Sequence, residues 1–219
     1  MGAAGGPFRR SAAPYSLRKG RNVTNENPVV ENLLLGVTGS VAVVNITAYL
    51  TEFRQRLARH VRVVTTRSAE RMMPAESIAL YCDEVVSPDS PAARKAAHVG
   101  LAQWASLFVV LPASANVMGA AANGLAPSFL TSTLLAAEPG VVFFPNMNTT
   151  MWRHPAVSRN VERLRADGHR VVVETRSATE VATGETVDAP VVPPPAEAAA
   201  ALHGVVEPTG GSDPVARSS

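Results

Sequence analysis

Cysteine is almost absent from this chain of 219 residues, which contains one, Cys82. A single cysteine excludes an intrachain disulfide, and nothing else in the composition requires an oxidising compartment. The chain also lacks an apolar run long enough to span a membrane, and no export-type apolar stretch follows Arg9 and Arg10. We therefore expect a cytoplasmic protein without a membrane partner.

An excess of positive charge is also missing from most of the chain, although the net charge is +2. Residues 1–32 hold five basic and two acidic side chains, which leaves 15 basic and 16 acidic side chains in the other residues. A nucleic-acid-binding domain usually concentrates cations on its folded surface. The balance of charge therefore predicts no nucleic-acid partner.

Short apolar segments alternate with helical segments along the chain, which predicts parallel strands joined by helices. The helical patterns fill 41–59 and 114–123, and another helix ends over 160–167 with Gly168 at its C′ position. We predict a single α/β domain with a doubly wound, flavodoxin-like or Rossmann-like parallel sheet and helices on both faces. The predicted strands lie at residues 33–35, 61–66, 107–111, 141–144 and 170–173.

Composition divides the chain into four predicted parts. Residues 1–32 show no periodicity and are predicted to be a disordered or assembly arm. The α/β domain is predicted over 33–173, and a substrate flap with a short C-terminal helix over 174–203. Residues 204–219 are rich in Gly, Ser and Pro, and are predicted to be a disordered tail.

Small and hydroxyl-bearing residues follow the first two predicted strands, at the sheet edge where such folds bind ligands. Gly39 and Ser40, with Thr38 before them, place N–H groups and hydroxyls at a helix start that suits a phosphate. Thr66 and Ser68 offer further hydroxyls toward the same phosphate. The glycine spacing is not GxGxxG, which disfavours a dinucleotide dehydrogenase. The alternative is an ordinary strand-to-helix turn with capping hydroxyls.

Small residues and carboxamides follow the next two strands. The PASAN segment at 112–116 lets a flat ring approach the backbone, and Asn116 and Asn123 carry amides of the kind an isoalloxazine edge needs. The PNMN segment at 145–148 places two carboxamides after a buried strand, and Asn148 is the better ligand candidate. A capped helix start is the alternative for PASAN.

His98 is the histidine best placed for proton transfer near neutral pH. It lies ahead of the strand at 107–111, whereas the other four histidines lie near polar or terminal positions: His60, His154, His169 and His203. A lone histidine is most often structural, which is the alternative here.

In their order along the chain, these motifs resemble the homo-oligomeric flavin-containing cysteine decarboxylases, over about residues 33–202. The resemblance rests on the turn at Gly39 and Ser40, on His98, and on the PASAN segment. It also rests on Asn123-Gly124 and on the PNMNTTMW string at 145–152. One such match would be noise, but the ordered set is specific.

The resemblance implies a flavin, FMN or FAD, bound between subunits of trimers that assemble into dodecamers. It implies His98 and Asn148 as catalytic residues, and Asn148, Met151, Thr183 and Gly184 as substrate contacts. The residues implied to hold the cofactor are Gly39, Ser40, Thr66, Ser68, Pro112, Ala113, Ser114, Asn116 and Thr131. No metal is expected.

The segment after residue 174 separates two branches of this family. The coenzyme A branch needs a second cysteine in its flap, and residues 174–202 contain none. Residues 176–186 resemble the substrate-clamping flap of the mersacidin-type peptide decarboxylases. The implied substrate is a precursor peptide ending in cysteine. The implied product is an enethiol, which another biosynthetic enzyme or a cyclisation builds into aminovinyl-cysteine.

The family chemistry implies hydride transfer from the cysteine Cβ to the flavin while His98 removes the thiol proton, and then loss of carbon dioxide. Asn148 would hold the carboxylate through neutral hydrogen bonds, because a cation would stabilise the charged ground state more than the transition state. Three alternatives stay open: a phosphopantothenoylcysteine decarboxylase, an inactive flavin-binding regulatory subunit, and an unrelated nucleotide-binding α/β protein. The presence of His98 and Asn148 disfavours the second.

Overall fold

A six-stranded parallel sheet forms the centre of the protein, in a computed structural model that describes residues 28–90, 97–179 and 186–206. Its strands are β1 (Val30–Val37), β2 (Ala58–Thr65), β3 (Glu84–Val86), β4 (Leu107–Ala113), β5 (Val142–Pro145) and β6 (Arg170–Val171). The order across the sheet is β3-β2-β1-β4-β5-β6. This order reverses direction between β1 and β4, and the predicted doubly wound α/β fold is confirmed.

Helices follow the strands and cover both faces of the sheet. Among the described residues, none of them is both long enough and apolar enough to cross a membrane. The described helices are a 3-10 helix (Val41–Asn45), α1 (Ile46–Arg56), α2 (Arg67–Glu70), α3 (Ala75–Ile78), α4 (His98–Trp104), α5 (Ala115–Ala122), α6 (Phe129–Leu135), α7 (Thr149–Trp152), α8 (Pro155–Ala166) and α9 (Pro195–Val206).

Each central strand is apolar on both faces because both faces are covered. In β1, Leu33 and Leu35 belong to a core cluster that includes residues of α1, α3 and α9, whereas Leu34 belongs to a second cluster with residues of α4, α5, α6 and α8. Gly36 lets α6 approach closely, since a Cβ there would lie 2.7 Å from Leu130 Cδ1. The strands therefore have the unbroken apolar pattern expected of a buried parallel sheet.

Two elements extend past the boundaries predicted for their segments. β1 begins at Val30, ahead of the predicted start at residue 33, and the N–H groups of Val29 and Val30 donate to the Leu57 carbonyl at 2.9 and 3.0 Å. α9 continues to Val206, although a tail was predicted from residue 204, because Val205 and Val206 pack against the core. Both corrections come from tertiary contacts.

Two predicted elements have different bounds in the structure. The helix predicted over 41–59 is a 3-10 turn followed by α1, and it stops at Arg56 because Ala58 and His60 pair with Val30 and Asn32 in the parallel ladder. The strand predicted over 170–173 is β6, Arg170–Val171, and the chain turns into another pair of strands two residues later.

That pair is an antiparallel hairpin in the segment predicted to be the flap. β7 (Glu174–Thr179) pairs with β8 (Thr186–Val191), and residues 180–185, which include Thr183 and Gly184, lie outside the described residues. The Arg176 guanidinium is hydrogen-bonded to Glu174 and to Glu197 on α9, which ties the base of the hairpin to that helix.

Tyr49 fastens the segment between the hairpin and α9 to α1. Its buried hydroxyl donates to the Pro193 carbonyl at 2.7 Å. Burial and the nearby Glu174 raise the pKa of Tyr49, so the phenol keeps the proton that it donates.

Replacement of Tyr49 by Phe should therefore destabilise the fold. The Pro193 carbonyl is in a buried residue and would lose its donor, which costs about 1–3 kcal/mol in the free energy of unfolding. Urea unfolding followed by circular dichroism measures the loss. Tyr81→Phe is the matched control, because Tyr81 is exposed, and equal stability of the two variants would contradict the assignment.

Candidate functional site

Four helices begin at one edge of the sheet, each directly after a strand. The 3-10 helix follows β1, α2 follows β2, α5 follows β4, and α7 follows β5. Because the strands are parallel, their carboxyl ends and the four helix N-termini lie along the same edge. The backbone N–H groups there create a positive potential that favours an anion.

Thr38 joins the loop after β1 to the loop after β4. Its fully buried hydroxyl donates to the Pro112 carbonyl at 2.7 Å and accepts from the Ser114 N–H at 2.9 Å. The single hydroxyl proton is therefore committed to the protein. The expectation that Thr38 donates to a phosphate is wrong, because Thr38 holds the two loops together.

Ser40 and Asn146 join the loops after β1 and β5 across the end of β4. The Ser40 hydroxyl donates to Asn146 Oδ1, and the Asn146 N–H donates to the Ala113 carbonyl at 3.0 Å. Ser40 caps the 3-10 helix without a capping hydrogen bond from its side chain, and it is half-buried. Sequence reasoning ranked Asn146 below Asn148 and missed this role.

Gly39 lies against α2 with no space for a side chain. A Cβ at Gly39 would lie 2.3 Å from Ser68 Cβ and 2.9 Å from the Ser68 carbonyl carbon. The Thr66 hydroxyl caps α2 by accepting from the Ala69 N–H at 3.3 Å. This agrees with the alternative that the hydroxyls after these strands are ordinary helix caps. The exposed Ser68 hydroxyl lies 3.4 Å from a nitrogen of Arg71.

The PASAN segment lies at the switch point between β1 and β4. Pro112 follows a cis peptide bond, and both Pro112 and Ala113 are buried as the last residues of β4. Ser114 is the N-cap of α5, but its half-buried side chain makes no capping hydrogen bond. Asn116 is exposed in the first turn of α5. Ser114 is therefore the hydroxyl in this segment that is best placed for a ligand.

Asn123 does not belong to this edge of the sheet. It follows the C-terminal end of α5, and its amide is bound to the Gly119 carbonyl at 2.8 Å, to Asn160 at 3.3 Å and to Arg163 at 3.0 Å. The expectation that Asn123 contacts a flavin is therefore wrong, because the amide fastens α5 to α8. Gly124 has a φ of +64°, which glycine adopts without strain.

Thr131 is also engaged within the protein. It is buried in the first turn of α6, where it forms a reciprocal capping box with Ser128. The Ser128 N–H donates to Thr131 Oγ1 at 2.8 Å, and Thr131 Oγ1 donates to the Ser128 carbonyl at 2.9 Å. Its proposed contact with a cofactor stays a prediction, and its hydroxyl proton is already used.

Asn148 and Met151 lie on the short helix after β5. Asn148 is the N-cap of α7, and its Oδ1 accepts from the Met151 N–H at 2.8 Å. Asn148 is exposed, and its amide nitrogen remains as a donor. Met151 is 44% exposed, which leaves its side chain available to a ligand.

His98 is held on one face of the sheet by two helices. It is the first residue of α4, and its half-buried ring meets the Phe129 ring edge-on at 6.3 Å between centroids. Phe129 begins α6, whose next residue, Leu130, packs against Gly36. Within residues 28–90, 97–179 and 186–206, no hydrogen bond links His98 to the loops after the strands, so its approach to them stays a prediction.

The residues at this edge fit the phosphate and ring of a flavin. Helix N-termini and the half-buried Ser114 hydroxyl supply hydrogen-bond donors, and the next residue, Ala115, is half-buried and adds no large side chain beside them. The nearby Glu70 carboxylate does not compete for these donors, because it accepts from Thr65 and from Ser87. In the described part of the chain, no group of three His, Cys, Asp or Glu residues could hold a metal ion.

Residues 21–192 match the model of the family described as Flavoprotein. This chain belongs to the flavoprotein family. Mersacidin decarboxylase from a Bacillus species is 40% identical over 155 residues, which are 70% of this chain and 79% of that protein. The bifunctional coenzyme A biosynthesis protein of Bacillus subtilis is 41% identical over 141 residues, which are 63% of this chain but 34% of that longer protein.

Solved structures agree with the family assignment. The structure of MrsD from a Bacillus species has a TM-score of 0.69 and 35% identity, and the match covers 81% of this chain and 97% of that one. The structure of an FMN-dependent cysteine decarboxylase, SpaF, has a TM-score of 0.63 and 33% identity, covering 80% and 95%. A variant of the peptidyl-cysteine decarboxylase EpiD, complexed with the substrate peptide DSYTC, has a TM-score of 0.68 and 25% identity, covering 75% and 93%. The resemblance to flavin-containing cysteine decarboxylases is confirmed.

Cys82 lies in the turn before β3, away from the hairpin. Its side chain packs against the core, and its thiol lies 3.5 Å from the carbonyls of Ile78 and Glu84. Burial, and then Asp83, raises the pKa of the Cys82 thiol to about 12. This is the opposite of the shift that makes a cysteine reactive.

Alkylation should therefore be slow in the folded protein. At pH 8.5 the thiolate fraction of Cys82 would be about a thousandfold lower than that of an unfolded chain, whose thiol has a pKa of about 8.5. Iodoacetamide labelling with and without denaturant, followed by mass spectrometry, measures the two rates on the same single thiol. Equal rates would contradict the burial of Cys82.

Replacement of Gly39 by Ala should disturb the contact between the β1 loop and α2. Because the added Cβ meets Ser68 and its backbone, the helix must move, which costs about 1–3 kcal/mol. We expect a lower melting temperature and less bound flavin per chain, measured from visible absorbance. Gly204→Ala is the control, since no atom lies within 4 Å of the position of its added Cβ. Unchanged flavin content and stability in Gly39→Ala would contradict the contact.

Proposed function

We propose that this protein is a flavin-dependent peptidyl-cysteine decarboxylase. Its substrate is a ribosomally made precursor peptide with a C-terminal cysteine, and its product is the enethiol used to build aminovinyl-cysteine. The observation that carries the proposal is the 40% identity to mersacidin decarboxylase over 79% of that protein. The complex of the relative EpiD with the peptide DSYTC, which ends in cysteine, supports the same substrate class.

FMN is the cofactor we propose, with FAD as the alternative, because the relative SpaF is FMN-dependent. Ser68 and Ser114 would hold the phosphate together with the backbone N–H groups of the adjacent helix starts, whereas the predicted phosphate contact of Ser40 is disfavoured because its hydroxyl proton is donated to Asn146. The bound flavin supplies a hydride acceptor for the oxidation of the cysteine Cβ. The small residues of PASAN would accept its ring.

The reacting cysteine would lie between Asn148 and His98. The exposed amide nitrogen of Asn148 donates to the substrate carboxylate, and Oδ1 stays bound to the Met151 N–H. A neutral donor suits this step, because the carboxylate charge disappears when carbon dioxide leaves. His98 takes the thiol proton, and its ring is oriented by the contact with Phe129.

The hairpin β7–β8 would cover the peptide, with Thr183 and Gly184 as contacts. Assembly into trimers and dodecamers, contact with other biosynthetic enzymes and a cytoplasmic location belong to the same proposal. Each follows from the relationship to the peptide decarboxylases.

A second candidate is decarboxylation of phosphopantothenoylcysteine, favoured by the 41% identity to the Bacillus subtilis coenzyme A protein. The cysteine content disfavours it, because residues 174–202 contain no cysteine that could reduce the enethiol. Incubation with phosphopantothenoylcysteine in the absence of peptide separates the candidates. Turnover of phosphopantothenoylcysteine, without turnover of any peptide, would establish the second candidate.

A His98→Asn variant should keep its flavin but lose decarboxylation. Loss of the base should slow turnover by about a hundredfold or more, because a positioned general base contributes about 10²–10⁴ in rate. Mass spectrometry of a peptide ending in cysteine measures the reaction as a loss of about 46 Da, the mass of two hydrogens and carbon dioxide.

The matched control is His60→Asn, because His60 is exposed on β2. We expect this variant to turn over peptide at the rate of the unmodified protein. Full activity of His98→Asn would contradict the proposed base. A protein without flavin that cannot be reconstituted would contradict the proposed function itself.

A further inference from the structure

A groove of about 360 Å³ lies between α7 and α8, beside the proposed position of the substrate cysteine. Its volume falls in the range of about 300–1,000 Å³ that is typical of ligand sites. Trp152, which lines the groove, is the last residue of the one-turn helix that Asn148 caps. The groove is lined by Trp152, Arg153, Val157, Ser158, Val161, Glu162 and Arg165.

The groove has an apolar floor and charged ends. Trp152, Val157 and Val161 pack against the core of this face and form the floor. Arg153 lies at the end next to α7, and Arg165 lies at the far end, where one of its nitrogens donates to the Val171 carbonyl at 3.3 Å. An apolar floor between two guanidinium groups suits an extended peptide with an acidic side chain.

Positive charge is concentrated around this groove. Residues 149–171 contain five arginines and two acidic residues, whereas residues 33–219 as a whole contain 15 basic and 16 acidic residues. In the part of the chain that the structure describes, neither Arg153 nor Arg165 forms an ion pair, although Arg54, Arg59 and Arg62 each do. Among the described residues, Glu162 is the one carboxylate in the lining, so two guanidinium groups outnumber it.

The length of the groove corresponds to a few residues of extended peptide. Val157 and Arg165 are eight residues apart on α8, which is about 12 Å along the helix axis. An extended chain covers this distance in about four residues at about 3.3 Å each. A cysteine that lies level with Val157, at the end of the groove next to α7, would therefore bring a residue three or four positions ahead of it to Arg165.

We propose that this groove binds the residues preceding the C-terminal cysteine and that Arg165 selects an acidic side chain three or four positions ahead of it. The proposal rests on the proposed function, because it requires a peptide substrate. It makes Arg165 a specificity-determining residue, and it gives Arg153 the same role for a residue nearer the cysteine.

Direct binding tests the groove without requiring turnover. The probes are two fluorescein-labelled octapeptides that end in serine instead of cysteine, with either Asp or Lys at the third and fourth positions before the end. Fluorescence anisotropy with the flavin-loaded protein should give a Kd roughly five- to tenfold lower for the Asp peptide, since a few exposed ion pairs contribute this much at low salt. In Arg165→Glu the preference should reverse.

The control is Arg159→Glu, which makes the same change of charge on the same helix but outside the lining of the groove. It should keep the preference for Asp. Arg153→Glu is a second groove variant, and it should weaken binding of the Asp peptide if Arg165→Glu does not fold. Equal affinity of both peptides for the unmodified protein, or equal effects of Arg159→Glu and Arg165→Glu, would overturn the proposal.

Turnover of the corresponding peptides ending in cysteine separates this inference from the proposed function. We expect Arg165→Glu to raise KM for the Asp peptide and to leave kcat unchanged, because Arg165 binds the peptide away from the reacting atoms. If the Asp peptide binds selectively but no peptide loses about 46 Da, the proposed function is contradicted. The peptide-binding role of the groove is then still supported.

Discussion

The hydrogen bonds of one buried hydroxyl hold the centre of the candidate site in place. Thr38 connects the ends of β1 and β4 through its bonds to Pro112 and Ser114. The sheet order reverses between these two strands, so the helices that follow them cover opposite faces and a crevice opens at the edge. The pairing of β1 with β4 ends at Gly36 and Val110, and the Thr38 bridge holds together the two loops that border this crevice beyond that point.

The remaining loops are fastened to the same centre, each by a different contact. Ser40 reaches Asn146 across the end of β4, and Gly39 allows direct contact with Ser68 on α2. These contacts divide the polar residues of the edge into two groups. Thr38, Ser40, Thr66 and Thr131 use their hydroxyls within the protein, whereas the hydroxyls of Ser68 and Ser114 and the amide nitrogen of Asn148 remain available to a ligand. A rigid frame with a few available donors suits a cofactor that carries its own chemistry.

The sequence predicted the central architecture well because a buried parallel sheet leaves a strong periodic signal. The apolar runs identified β1, β2, β4 and β5, and the motifs placed the candidate residues in the loops after them. Two of the missed elements have weak local signals. β3 has three residues and includes Glu84, and α6 contains three hydroxyl residues, including its capping Thr131. Both are held by tertiary contacts.

The polar side chains were harder to assign than the strands. A Thr or Asn at a strand end fits a ligand contact and a cap equally well in sequence, and the partner 74 residues away that decides the role of Thr38 leaves no local trace. Asn123 was assigned to the wrong end of α5 for the same reason, since its partners Asn160 and Arg163 lie on α8. The roles that the motifs predicted were therefore wrong at positions whose hydrogen-bond partners are distant in the chain.

The two outermost strands of the sheet are its shortest, with three residues in β3 and two in β6. So few unpaired backbone groups give an incoming strand little to pair with, which protects the sheet from edge-to-edge aggregation. Copies of this chain that associate through the described residues are therefore expected to meet through helices, loops or the β7–β8 hairpin rather than by extending the six-stranded sheet. Such contacts leave the six-stranded sheet, and with it the strand ends that border the crevice, intact.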